Sequence, residues 1–126
     1  MDLKNLTIND TYVDRLVEAD EITEDDIILF TEDVYSSNYF SATIVGKRHI
    51  LARVTKLHYG DKYSSFSMDV IECIGDNNEE ILNKKQIRRR EKTIFGKYKV
   101  YRRLWNNEFN RYCILDIQEK YKTYTA

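Results

Sequence analysis

Proline is absent from this 126-residue sequence, and glycine occurs only at 46, 60, 75 and 96. These shortages exclude collagen-like, low-complexity and Pro-rich linker character. The only cysteines are Cys73 and Cys113, too few for a disulfide scaffold in so short a chain. With His49 and His58 they are the only Cys and His ligand types for zinc, and their spacings match no zinc pattern. Both cysteines sit inside apolar runs and read as buried free thiols, so no metal or cofactor is expected. P-loop and Rossmann glycine patterns are missing. No stretch approaches the roughly 20 apolar residues of a spanning helix. The opening Met1-Asp2-Leu3-Lys4-Asn5 lacks the basic-then-apolar layout of a signal peptide. These absences lead us to expect a cytoplasmic protein.

What is present suits one domain over residues 1–126, with 42% apolar residues for a single core. Ten tyrosines favour strands and supply contact surface. A net charge of −1 hides an asymmetry. Residues 1–46 carry two basic and eleven acidic side chains, a net of −9, and residues 47–126 carry eighteen basic and ten acidic, a net of +8. Opposite blocks of this kind point to a charged partner, or to pairing of one block with the other.

Apolar periodicity predicts a short amphipathic helix over 9–20, with Tyr12, Val13, Leu16 and Val17 on one face. An acidic turn over 20–26 precedes a buried strand that begins at Ile27-Ile28-Leu29-Phe30, and 31–38 reads as loop. Strands are expected over 39–45 and 49–57, joined by a hairpin turn at Gly46-Lys47-Arg48. A further strand is expected over 65–74, a helical turn followed by a strand over 79–90, and a strand over 93–105 paired with one over 111–121. Five to seven short strands behind one helix predict an α+β, β-rich chain: a small mixed β-barrel with an N-terminal helix as its lid.

The window 84–103 contains Lys84, Lys85, Arg88, Arg89, Arg90, Lys92, Lys97, Lys99, Arg102 and Arg103 against Glu91 alone, a net of +9. Neutralising phosphates and releasing counterions dominates nucleic-acid affinity, so this segment has the required chemistry. On a continuous strand, Lys97, Lys99, Tyr101, Arg103 and Trp105 share one face, and Tyr98, Val100, Arg102 and Leu104 the other. The first face mixes cations with aromatics that can stack on unpaired bases. Trp105 suits the core beside a hairpin equally well. Lys47 and Arg48, at the expected turn tip, are added as a backbone clamp. RNA is the expected partner, with DNA also open and a homodimer as an alternative use of the charge. The bland account is a solvated charged face paired with the acidic half. Asp20, Glu21, Glu24, Asp25 and Asp26 lack the spacing and glycine of a calcium loop and read as a solvated turn.

The block Glu21–Phe30, with Ala42-Thr43-Ile44-Val45 and Ile50–Leu57, resembles the PUA and ASCH group of RNA-binding barrels. Asp26 before the apolar strand and Arg53-Val54-Thr55 carry the likeness; Asp25 departs from it, because the group usually has glycine there. Within the group the chain is similar to the small PrgU-type proteins of Gram-positive conjugative plasmids. That resemblance implies a PUA-like domain that limits expression of conjugation or surface-adhesin genes through RNA. It also raises an ASCH-type amidohydrolase, for which Lys47, Thr55 or Thr43, and Glu72 supply the residue types. A non-catalytic protein-binding module is a further alternative, and the chain is read as a binder rather than an enzyme.

Overall fold

Ile27-Ile28-Leu29-Phe30 is apolar at every position, so a strand built from it needs cover on both faces. The computed structural model describes residues 15–36, 43–60, 63–75 and 85–125, with side chains described through Lys120. Strands β1 (Leu16–Glu18), β2 (Ile27–Tyr35), β3 (Ile44–Tyr59), β4 (Ser64–Gly75), β5 (Gln86–Arg90) and β6 (Tyr101–Arg103) form one six-stranded sheet in the order β1-β6-β2-β3-β4-β5. Helix α1 (Glu91–Phe95) follows β5, and helix α2 (Glu108–Thr125) follows β6. The chain is therefore α+β and β-rich. The sheet is not mixed, because every strand pair within it is antiparallel. Among the described residues no helix is long and apolar enough to cross a membrane.

Several expected elements differ. Leu16–Glu18 is a strand, not the end of a helix, because its flanking backbone is committed to the β6 segment. The Ala19 N–H donates to Val100 O and the Leu104 N–H donates to Arg15 O. Residues 9–14 of the expected helix lie outside the described residues. Thr31–Tyr35 is not loop but the second half of β2, where Glu32 stands opposite Arg48 and Asp33 opposite Lys47. Gly46-Lys47-Arg48 consequently lies inside β3 rather than at a turn. The segment 93–105 splits into α1, an irregular stretch and the three residues of β6, and 111–121 is helical. Asn107 starts that helix: its Oδ1 accepts the N–H groups of Phe109 and Asn110.

Two register shifts bend the long β3–β4 hairpin. One leaves Ile71 unpaired between the Leu51–Glu72 and Ala52–Val70 pairs. The other leaves Thr55 unpaired between the Val54–Met68 and Lys56–Ser67 pairs. Each extra residue reverses the strand's inside–outside order. Ile50, Ala52 and Val54 enter the core, and beyond Thr55 it is Leu57 that enters, while Lys56 stays exposed. On β4 Phe66 and Met68 enter, and beyond Ile71 it is Cys73 that packs against the same core. Both Cys73 and Cys113 are half-buried, less enclosed than their apolar neighbours suggest. Ile94 of α1 and Val100 complete the main core, and Leu29 and Leu51 form a smaller cluster with Leu16, Ile27, Ile74 and Tyr101.

Helix α2 is fastened through Asp26, which is fully buried. The Arg111 guanidinium donates from Nε to Asp26 Oδ1 and from Nη2 to Oδ2, both at 2.9 Å. The Trp105 indole N–H donates to Oδ1 at 2.7 Å, and the Thr23 N–H donates to Oδ2 at 3.0 Å. Asp26 is thus not part of a solvated acidic turn. Removing one partner of a buried pair leaves an uncompensated charge. Arg111→Met should therefore lower the unfolding free energy by about 3–5 kcal/mol. Trp105→Phe, which removes one charge-assisted hydrogen bond, should cost about 1.5–3 kcal/mol. Urea unfolding of the two variants measures both.

Candidate nucleic-acid interface

The alternation of β5 sorts the cations of the basic window. Ile87 and Arg89 point inward, whereas Gln86, Arg88 and Arg90 are exposed. Arg89 reaches Glu32, with Nε to Oε2 at 2.8 Å and Nη2 to Oε1 at 3.1 Å. Arg48 shares the same carboxylate at 2.6 Å. Burial pushes the Glu32 carboxyl up, but the hydrogen bonds and charges of Arg89 and Arg48 outweigh it and hold the group below its usual range. Lys97 pairs with Asp33 at 2.8 Å, and the Tyr98 hydroxyl donates to the same carboxylate. Those hydrogen bonds lower the Asp33 carboxyl and raise the Lys97 ammonium. Lys47 lies over the Tyr98 ring, 5.0 Å from its centroid. Four cations assigned to binding, Arg48, Arg89, Lys97 and Lys47, therefore join a mixed-charge cluster on β2, β3, β5 and the segment after α1. The acidic half supplies its carboxylates.

The aromatic residues assigned to stacking are also elsewhere. Tyr101 packs against the Leu29 and Leu51 cluster, and Trp105 is anchored on Asp26. Arg103 and Trp105 line a hollow with Asp25 and Asn110, and β6 stands four strands from β5 in the sheet order. The reason is the break at α1: residues 97–105 do not form one strand, so its predicted face does not exist. Lys84 lies outside the described residues.

The remaining cations are open. Among the described residues Lys85, Arg88, Arg90, Lys92 and Lys99 form no ion pair. Lys92 and Lys99 border a cavity of about 790 Å³ together with Lys97, but Glu18, Asp20 and Glu91 line it as well, so its charges cancel. The outer face of β3–β4–β5 is different. Cross-strand register sets Arg88 beside Ser67, Arg90 beside Ser65, Lys56 beside Ser67, and His58 beside Ser65. Arg88 Nε donates to Ser65 Oγ at 2.8 Å, which leaves its two Nη groups to meet a ligand. His58 Nε2 and Ser67 Oγ are 2.7 Å apart. Arg90 stacks on Tyr63, 3.9 Å from the ring centroid, and Tyr63 is half exposed. This face offers cations, hydroxyls and a stacked aromatic on paired strands. Lys56, His58, Tyr63, Ser65 and Ser67 belong to it and are not part of the sequence-based set.

The amidohydrolase residues do not converge. Lys47 and Thr55 lie eight positions apart on β3, a separation of about 26 Å at strand rise. Glu72 stands opposite Leu51, and Thr43 precedes the strand. Among the described residues no group of three or more His, Cys, Asp or Glu could hold a metal ion. Comparison with family models, curated proteins and solved structures returns no match to this chain.

The tied carboxylates make stability depend on pH. The bidentate hydrogen bond from Arg102, with the Trp105 N–H, lowers Glu108 from 4.5 to about 2. A carboxyl with a depressed folded pKa adds stability above its unfolded value and loses it as pH falls through the folded one. Glu32, Asp33 and Glu108 act in the same direction. Melting temperature should therefore fall as pH drops from 4.5 toward 2, and Glu108→Gln should flatten part of that fall. Thermal unfolding across this pH range measures both effects.

Proposed function

We propose that this protein binds single-stranded RNA on the outer face of β3–β4–β5. The observation that carries the reading is the set of unpaired cations, Lys56, Arg88 and Arg90, aligned across three strands with the half-exposed Tyr63. Phosphates meet the cations, and unpaired bases stack on Tyr63 and on the Arg90 guanidinium. The fold reading behind this is a PUA-like small barrel. In its support, the bulged β3–β4 hairpin curls around one main core. Asp25 adopts φ 72, a left-handed conformation that favours glycine, at the position where the resembled group carries glycine. On this reading the RNA targets are transcripts for conjugation or surface-adhesin functions, and the protein limits their expression in the cytoplasm.

A protein-binding role has one observation in its favour. Phe109 and Tyr112 on α2 are 70% and 67% exposed, and large exposed aromatics suit a partner surface, including a second copy of the chain.

Fluorescence anisotropy with a labelled single-stranded RNA tests the proposal. With Lys56, Arg88 and Arg90 neutralising phosphates, log affinity should fall against log salt with a slope of about −2. Arg88→Ala with Arg90→Ala should weaken binding and reduce that slope by about 1.4, whereas Lys97→Ala should leave the slope unchanged. No binding at low salt would refute the proposal. Crosslinking in cells with sequencing identifies the bound transcripts, and recovery of a protein partner without enriched RNA would favour the second role.

A further inference from the structure

Ile114 and Ile117 of α2 remain exposed, yet they form one wall of a cavity of about 590 Å³ at the end of the basic face. That volume is within the range of about 300–1,000 Å³ typical of small-molecule sites. Leu57 and Tyr59 extend the apolar wall, and Lys56, His58 and Arg88 supply the charge. The other polar lining is already engaged. Thr23 Oγ1 donates to Gln118 Oε1 at 2.7 Å, and Gln118 Nε2 donates to Ile22 O at 3.2 Å. Glu24 Oε1 accepts the Leu57 N–H at 3.2 Å. The charged side chains that face a ligand are therefore the Lys56 ammonium, the Nη groups of Arg88 and the His58 ring, held through Nε2 to Ser67, with Glu24 as the one carboxylate of the lining, while Leu57, Tyr59, Ile114 and Ile117 form the apolar side.

We propose that this cavity holds one unpaired nucleotide of the bound RNA, its phosphate on Lys56, His58 and Arg88 and its base against Ile114, Ile117 and Tyr59. The inference rests on the RNA-binding reading and specifies where the strand is gripped. The division of the cavity matches the division of a nucleotide, which has an anionic end and a flat, weakly polar end. A metal ion or a small polar anion would leave the apolar wall unused.

His58 gives the site a signature. Burial first, then the charges of Arg88 on β5 and Lys56 on β3, hold its imidazolium below the usual range, and Glu24 opposes them weakly. From α2 the cavity receives only Ile114, Ile117 and Gln118, none of them charged. A phosphate placed among these groups favours the charged imidazole, so binding takes up a proton. Affinity then rises as pH falls through the titration of His58 and levels off once the free protein is protonated.

The test uses the full chain and the dinucleoside monophosphate ApA, whose phosphodiester keeps one charge over this pH range. In an NMR titration the shifts should concentrate at 56–59 and 114–118, and affinity should rise roughly 3- to 10-fold between about pH 7.5 and 5.5. His58→Gln should remove the pH dependence. Ile117→Glu, a change at an exposed position, should abolish ApA binding and weaken a labelled RNA strand roughly 10-fold. An RNA affinity unchanged by Ile117→Glu, or ApA shifts away from the cavity, would overturn the inference while the RNA reading stood. Failure of any RNA to bind the unaltered protein at low salt would overturn both.

Discussion

The buried Asp26 carboxylate is the interaction on which the arrangement of this chain depends. A charge without solvent contact is tolerated only when its lone pairs are met by well-placed donors, ideally with an opposite charge among them. Here the donors come from three separated places: Thr23 in the same turn, Trp105 after β6, and Arg111 in α2. The backbone of the same turn is fixed to mid-β3, since the Val54 N–H donates to Asp26 O and the Asp25 N–H donates to Val54 O. One residue therefore ties the entry of β2, the centre of β3 and the first turns of α2. Apolar packing would hold these parts together with less directional demand. The ionic latch instead fixes where α2 sits, and with it the wall that Ile114 and Ile117 build beside Lys56 and His58.

The charge asymmetry of the sequence resolves into two populations. Glu32 and Asp33 stand on the polar half of β2, directly opposite Arg48 and Lys47 on β3, and they also draw in Arg89 and Lys97. Their proximity explains why Arg89 and Lys97, two of the ten cations in the basic window, are internally neutralised. Arg88 and Arg90 escape because β5 alternates, and a carboxylate on the inner side cannot reach an outward side chain. The acidic half thus competes for the cations by strand parity rather than by overall charge.

How much of this was legible in the sequence follows from the same parity. The core strands read correctly where alternation is regular, at Ile28 and Phe30, at Ile50, Ala52 and Val54, and at Phe66 and Met68. Alternation carried past Thr55 turns Lys56 and His58 toward the core, and the bulge there sends Lys56 outward instead, so regular alternation does not place either residue beside Arg88 and Arg90. No residue type announces a bulge at Thr55. The polar half of β2 looked like loop because its partners are ionic rather than apolar, a pairing that needs the opposite strand to be known. Residues 111–121 read as a strand, wrongly, because Arg111, Cys113, Leu115 and Ile117 alternate as a strand would. The Asn107 cap and the buried Arg111 with Gln118 at helical spacing were the available signals. For the basic window, its cationic character was legible and its geometry was not, since α1 interrupts the strand that would have aligned Lys97 with Trp105.

Edge protection offers a simpler reason for charges on β5. The strand stands at the end of the sheet, and charged side chains there discourage pairing with another chain. β1, at the other end, needs no such device because it is three residues long. Edge protection, however, requires only that charges be present. It does not require Arg88 to be oriented by Ser65, Arg90 to be laid on Tyr63, or the row to continue inward across β4 to Lys56 and His58 on β3. β3 is an interior strand with no free edge to guard. Charge that extends two strands in from an edge, with Arg88 and Arg90 held in place by Ser65 and Tyr63 and with Asp69 and Glu24 as the nearby carboxylates, exceeds what guarding that edge requires.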